Sequence, residues 1–173
     1  MSDTLRSVLI RRRKSEMVEF MSNHPESFDQ AIKLALENEE NLSWRAAWLV
    51  AGIMKKNDPR VQPFIQKIIN VLPNRDDGHQ RELLKILLKI DLDEDFESLL
   101  FDISVTLWEQ VRKQSSVRYY AFQGMMKVVE KYPELKNEIL SLTQPHFVNA
   151  LSPGIRKGVY KSINELKSLN ETR

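Results

Sequence analysis

Arg45, Arg81, Arg118 and Arg156 stand 36, 37 and 38 residues apart, and each lies near the start of an apolar run with helical spacing. A period of that size is one two-helix unit, and such a unit cannot bury its apolar stripe alone. The chain is therefore expected to stack helical hairpins into an α-solenoid, an architecture that more often supplies binding surface than catalytic groups. The residue content agrees. Leu, Ile, Lys and Glu are abundant, there are only five glycines, and the turn-like pair Asp77-Gly78 does not join two alternating runs. Cysteine is absent, which removes disulfides, thiolate ligands and cysteine nucleophiles together and fits a reducing, cytoplasmic setting.

The pattern predicts a first helix over 3–21, with a candidate break at Lys14-Ser15, followed by four hairpins of an A and a B helix. These are 25–39 with 43–56, 59–72 with 77–90, 93–111 with 115–131, and 133–149 with 152–169. Pro25, Pro59, Pro133 and Pro153 fall where a helix begins and a missing N–H costs nothing. Ser43, Asp77, Ser115 and Ser152 are the expected N-caps. Short connections make neighbouring helices antiparallel. Counted from each arginine, Trp48, Leu84, Ala121 and Val159 lie three positions on, and Gly52, Leu88, Met125 and Ile163 seven on. Those positions share one face and form the expected buried stripe of the B helices. The A helices carry matching sets: Val61, Phe64, Ile65, Ile68, Ile69 and Leu72 in one, and Phe96, Leu99, Leu100, Ile103 and Leu107 in another.

The run Ser43-Trp44-Arg45-Ala46-Ala47-Trp48-Leu49 has echoes in Ser116-Val117-Arg118-Tyr119-Tyr120-Ala121-Phe122 and Gly154-Ile155-Arg156-Lys157-Gly158-Val159-Tyr160. All three resemble the second helix of HEAT repeats. The resemblance implies an all-α fold, an α-α superhelix of about four HEAT-like hairpins (25–57, 58–92, 93–131 and 132–170) behind an N-terminal cap helix (1–24), as a single domain over 1–173. It also implies that the B helices line a concave side. One departure stands out. Where HEAT repeats often carry an aspartate six residues before the arginine, this chain has Glu39, Arg75, Arg112 and Ala150.

A cation at a helix N-terminus opposes the macrodipole at a cost of about 0.3–1 kcal/mol, so four repetitions need a compensating contact. The expected contact is structural, with each guanidinium reaching carbonyls or carboxylates at the A–B corner. Glu39 or Glu40 would serve Arg45, Asp76 or Asp77 would serve Arg81, and Glu109 would serve Arg118. The sharper alternative is that the arginines grip a ligand.

Net charge is only +2, but it is sorted by helix. The A segments (25–42, 58–74, 93–112, 132–151) carry −4, +1, −5 and −1, together −9. The B segments (43–57, 75–92, 113–131, 152–173) carry +3, 0, +3 and +3, together +9. Side chains opposite the buried B stripe include Lys85, Lys89, Tyr119, Gln123, Lys127, Lys157 and Lys161, which form the candidate binding set. A basic face with a few aromatics suits an acidic protein or peptide, or a phosphate backbone. The densest basic run, Arg11-Arg12-Arg13-Lys14, is either a solvated face or frayed terminus or a contact for an acidic partner or nucleic acid.

Catalytic patterns are missing. His24, His79 and His146 are widely separated and read as isolated or turn residues, and no phosphate-cradling glycine loop or nucleophile elbow occurs. No metal, cofactor or membrane span is expected. Trp44, Trp48 and Trp108 could mark a pocket, with Trp48 expected in the core. The leading expectation is a non-catalytic, cytoplasmic scaffold for an acidic protein or peptide partner. The alternative is a nucleic-acid-binding relative of the HEAT-like alkylpurine DNA glycosylases. Their catalytic aspartate has no counterpart here, because Asp76, Asp77 and Asp91 sit at B-helix ends. A third expectation is an accessory subunit that leaves Leu5, Val8, Leu9, Val18, Phe20 and Met21 uncovered.

Overall fold

Backbone hydrogen bonding at the N-terminus sets the first boundary. Thr4 Oγ1 accepts from Ser7 N and starts α1 (Leu5–Arg11), and the chain turns extended at Arg12. Glu16 Oε2 reaches back 2.9 Å to Arg13 N and opens α2 (Lys14–Asn23), so the predicted single helix breaks two residues before the expected point. The structure, a computed structural model, describes residues 4–168, and the expected ends at Asp3 and Leu169 lie outside them. Every regular element among the described residues is helical, as the sequence predicts.

Two compact units form, Met1–Asp91 and Leu92–Arg173. In the first, α3 (Phe28–Leu36) pairs with α4 (Ser43–Ile53), and α5 (Ile65–Val71) with α6 (Asp77–Leu88). α4 packs on α6, and α2 packs on α4. In the second, α7 (Glu94–Glu109) pairs with α8 (Ser115–Lys131). α9 (Lys136–Ser141) and α10 (Pro145–Val148) take the place of the fourth A helix, and α11 (Pro153–Ser168) packs on α8. The expected helix over 133–149 is divided because Pro145 cannot donate to the preceding turn. Single 3₁₀ turns begin at Pro25 and Pro133, as expected for proline at a helix start, whereas Pro59 lies in the turn ahead of the helix.

Capping differs from expectation in three of the four B helices for a shared reason: the chain enters α4, α6 and α8 one residue early, whereas α11 begins directly after Ser152 as expected. Asp76, not Asp77, is the cap of α6 and accepts from His79 N at 2.9 Å. Ser43 and Ser115 already have helical backbone, and their hydroxyls accept from Glu39 N and Ser152 N instead.

The core follows the predicted stripes with local exceptions. Leu84, Ala121, Val159, Met125 and Ile163 are buried, and so are all six of the residues predicted for the second A helix. In the first B helix the stripe opens: Trp48 is half-buried rather than core, and Gly52 is exposed. α7 is rotated from the predicted face, so Leu99 is exposed while Phe101, Ser104 and Trp108 are buried. The first helix does not present an uncovered apolar face. Leu5, Val8, Leu9 and Met21 are buried, and Ile10 and Val18 are the exposed apolar residues there.

The loop after α4 is pinned by polar contacts. Asn57 takes positive φ, its N–H donates to Lys89 O at 2.8 Å, and its side chain pairs with Asp91. The buried Asp58 carboxylate accepts from Arg60 and from Lys55 N, which pulls it down to about 2. In the second unit α7 and α8 meet at Gly124. A Cβ there would collide with Ser104 Oγ and lie 3.3 Å from Ser104 Cβ. Gly124→Ala is expected to cost about 1–3 kcal/mol by overpacking. Ser104 Oγ is itself buried without a partner, so Ser104→Ala should leave stability unchanged or raised. Urea midpoints of the two variants check both expectations.

Candidate functional site

Three of the four repeated arginines are occupied by helix ends. Arg118 is fully buried; its Nε donates to Trp108 O at 2.9 Å and its Nη2 to Phe147 O at 2.8 Å. Arg156 Nη2 donates to Asn149 O and Leu151 O, at 2.8 and 3.0 Å. Arg45 donates to the carbonyls of Leu9 and Arg12, where α1 ends. Each guanidinium therefore meets orphan carbonyls at the negative end of another helix, which offsets its position at the start of its own. For Arg45 and Arg118 these carbonyls stand where carboxylates were expected from sequence. Glu39 pairs with Arg6, and Arg81 pairs with Glu82 of its own helix at 2.8 Å.

In the second repeat His79 and Arg75 do the capping. Arg75 Nη2 donates to Leu36 O at 2.8 Å, and His79 Nε2 lies 2.7 Å from Ala35 O. His79 is thus a buried residue inside α6 rather than the turn residue that its sequence position implied. Burial, with a smaller contribution from the Arg75 charge, pushes its imidazole below the usual value of 6.5. The unfolded chain then binds a proton that the folded one resists. Stability should be unaffected above about 6.5 and fall as pH drops below it towards the folded value. His79→Gln should flatten that slope in urea titrations between pH 8 and pH 5, conditions set by the range over which histidine titrates, about 5–8.

The seven candidate binding residues divide between the units. In the first unit Lys85 Nζ is 3.0 Å from the buried Glu82 carboxylate, and Lys89 Nζ donates to Ala51 O. Both lysines are half-buried and engaged. Trp44 and Trp48 lie one turn apart on α4, with Lys14 Nζ 4.7 Å from the Trp48 ring. In the second unit Tyr119 and Gln123 face α11. A Cβ on Gly158 would sit 3.3 Å from the Tyr119 ring, and Gln123 Nε2 donates to Ser162 Oγ at 3.3 Å. Lys127 continues that line on α8 and is half-buried. Lys157 and Lys161 are exposed one turn apart on α11, with Tyr160 between them also exposed. The Lys161 side chain is 81% exposed, and Glu165 lies 4.0 Å away among the described residues. The basic run Arg11–Lys14 is exposed where α1 gives way to α2.

One feature of the second unit was not singled out from the sequence. Between α7, the end of α8 and α9 lies a cleft of about 380 Å³. Phe101, Val128 and Leu135 form its apolar lining, Glu94, Asp102, Glu134 and Glu138 its acidic lining, and Ser98 and Tyr132 complete it. The Tyr132 hydroxyl donates to Glu97 Oε2 at 2.9 Å, as does Lys131 Nζ. That carboxylate holds both groups more firmly protonated than usual. The signal available in sequence was the charge of −5 over 93–112.

The sequence profile of the HEAT repeat domain matches residues 1–165. This chain belongs to the HEAT repeat family. No curated protein and no solved structure matches it. HEAT repeats commonly serve as protein-binding scaffolds and are typically non-catalytic. In this HEAT repeat protein no group of three or more His, Asp or Glu residues among those described is placed to hold a metal ion. No described helix is long and apolar enough to cross a membrane.

Proposed function

We propose that this HEAT repeat protein is a non-catalytic binding module that holds an acidic protein segment on the lysine-bearing faces of α8 and α11. The observation that carries this reading is the pair Lys157 and Lys161, one turn apart and exposed, with Tyr160 beside them and Lys127, Tyr119 and Gln123 on the neighbouring helix. Exposed ammonium groups on a rigid helix face can meet carboxylates without first breaking internal bonds. Lys85 and Lys89 are held by Glu82 and the Ala51 carbonyl, so the weight of the proposal falls on the second unit.

The test is fluorescence anisotropy with a labelled oligoglutamate peptide. Lys157→Glu/Lys161→Glu should weaken binding roughly tenfold, the sum of two reversed surface pairs, with unchanged helicity. An unchanged affinity for the double variant would overturn the assignment. A DNA duplex that binds more tightly than the peptide, with a steep salt slope, would replace the acidic-protein reading with the nucleic-acid one.

A further inference from the structure

The acidic cleft of the second unit lies outside the lysine-bearing site and has its own chemistry. Glu94, Asp102, Glu134 and Glu138 are all exposed around it, and among the described residues none has a cation within ion-pair distance. Lys131, next in sequence to the lining residue Tyr132, is turned to Glu97 instead. Unpaired like charges around a concavity reinforce one another's potential and attract a cation from solution. The lining adds a second requirement. Phe101, Val128 and Leu135 are apolar and Tyr132 is aromatic, so a bare metal ion or a small ammonium would leave that part of the surface uncovered. A volume of about 380 Å³ is near the lower end of the range for ligand pockets, enough for one or two side chains of a bound segment.

We infer that this cleft receives an arginine-rich segment of a protein partner. An arginine side chain answers both halves of the lining. Its three-methylene stem covers apolar surface while the head stays among carboxylates. Its planar guanidinium forms forked bonds to carboxylates and lies flat on aromatic rings, which an ammonium does not. The module then has two recognition surfaces of opposite sign, so its partners would be distinguished by charge.

The experiment uses the full chain and labelled hexa-arginine, hexalysine and hexaglutamate peptides, titrated by anisotropy at low salt. Hexa-arginine is expected to bind more tightly than hexalysine. Asp102→Asn/Glu138→Gln should weaken hexa-arginine roughly tenfold while leaving hexaglutamate binding and the far-UV circular dichroism unchanged. Leu135→Ser should weaken it as well, because the stem loses its apolar contact. Lys157→Glu/Lys161→Glu should leave the dependence on Asp102 and Glu138 intact, so failure of the lysine site and failure of this one are separable. Glu19→Gln/Glu40→Gln, which neutralises two exposed acids in the first unit, is the control. If it weakens hexa-arginine as much as the cleft pair does, or if hexa-arginine does not bind, the inference is wrong. Equal affinity for hexalysine would overturn the arginine preference.

Discussion

Replacing Arg118 by methionine is expected to lower the unfolding free energy by about 3 kcal/mol, several times the effect of a typical surface change. The guanidinium is fully buried between Trp108 O and Phe147 O, carbonyls at the ends of α7 and α10. Methionine fills much of the volume but donates nothing, so both carbonyls lose a charge-assisted bond in a site with little access to water. Burial disfavours the charged form of Arg118, and removing the charge recovers part of that cost, which keeps the net loss below the sum of the two bonds. Lysine should not rescue the site, because one ammonium cannot replace a fork that reaches two separate carbonyls. For a chain of this size the loss corresponds to roughly 6–12 °C in melting temperature. Thermal unfolding followed by circular dichroism checks it, and a methionine variant as stable as the parent would show that the capping bonds contribute nothing net.

Trp108→Ala is the second large effect, at about 3–5 kcal/mol. The side chain has no exposed surface, its indole N–H donates to Leu142 O at 2.8 Å, and its ring centroid lies 4.8 Å from that of Phe122. Alanine removes the ring, leaves the Leu142 carbonyl unpaired and opens a cavity between α7 and α8. Trp108→Phe should cost less, because it keeps most of the apolar contact and loses mainly the hydrogen bond. The Arg118 guanidinium stacks 4.5 Å from the Trp108 ring, so the two residues are not independent. The double variant should therefore cost less than the two single losses together, by more than the roughly 0.3–0.5 kcal/mol scatter of independent sites. Strict additivity would show that the stacked pair is uncoupled.

The repeat was legible because its cause is local and periodic. One arginine per hairpin, prolines at helix starts and apolar residues at helical spacing are all properties of short segments, and the observed helices follow them closely. Boundaries were less legible where two residues competed for one role. Asp76 and Asp77 are adjacent and chemically alike, and the geometry of the incoming turn makes Asp76 the cap. Trp48 sits on the predicted stripe, but α4 meets its neighbours through Ala46, Ala47, Leu49 and Val50, which are buried, while Trp48 is left half-covered. The lysines of the candidate site show the same limit. Sequence spacing placed Lys89 and Lys161 alike opposite the buried stripe of their B helices, but Lys89 found a carbonyl of α4 and Lys161 found mostly solvent.

Taken alone, the order of residues determined that this chain is helical, that its helices come in hairpins, and that acids gather on the A members and bases on the B members of every hairpin except the second. Those outcomes depend on interactions within a few turns, which the sequence displays directly. Tertiary packing decided which carbonyls the arginines cap, that His79 and Arg75 take that role in place of Arg81 in the second repeat, and that four carboxylates from separate segments surround one cleft. Each of these joins groups far apart along the chain, and a guanidinium or carboxylate acquires its partner only when helix packing brings the two together.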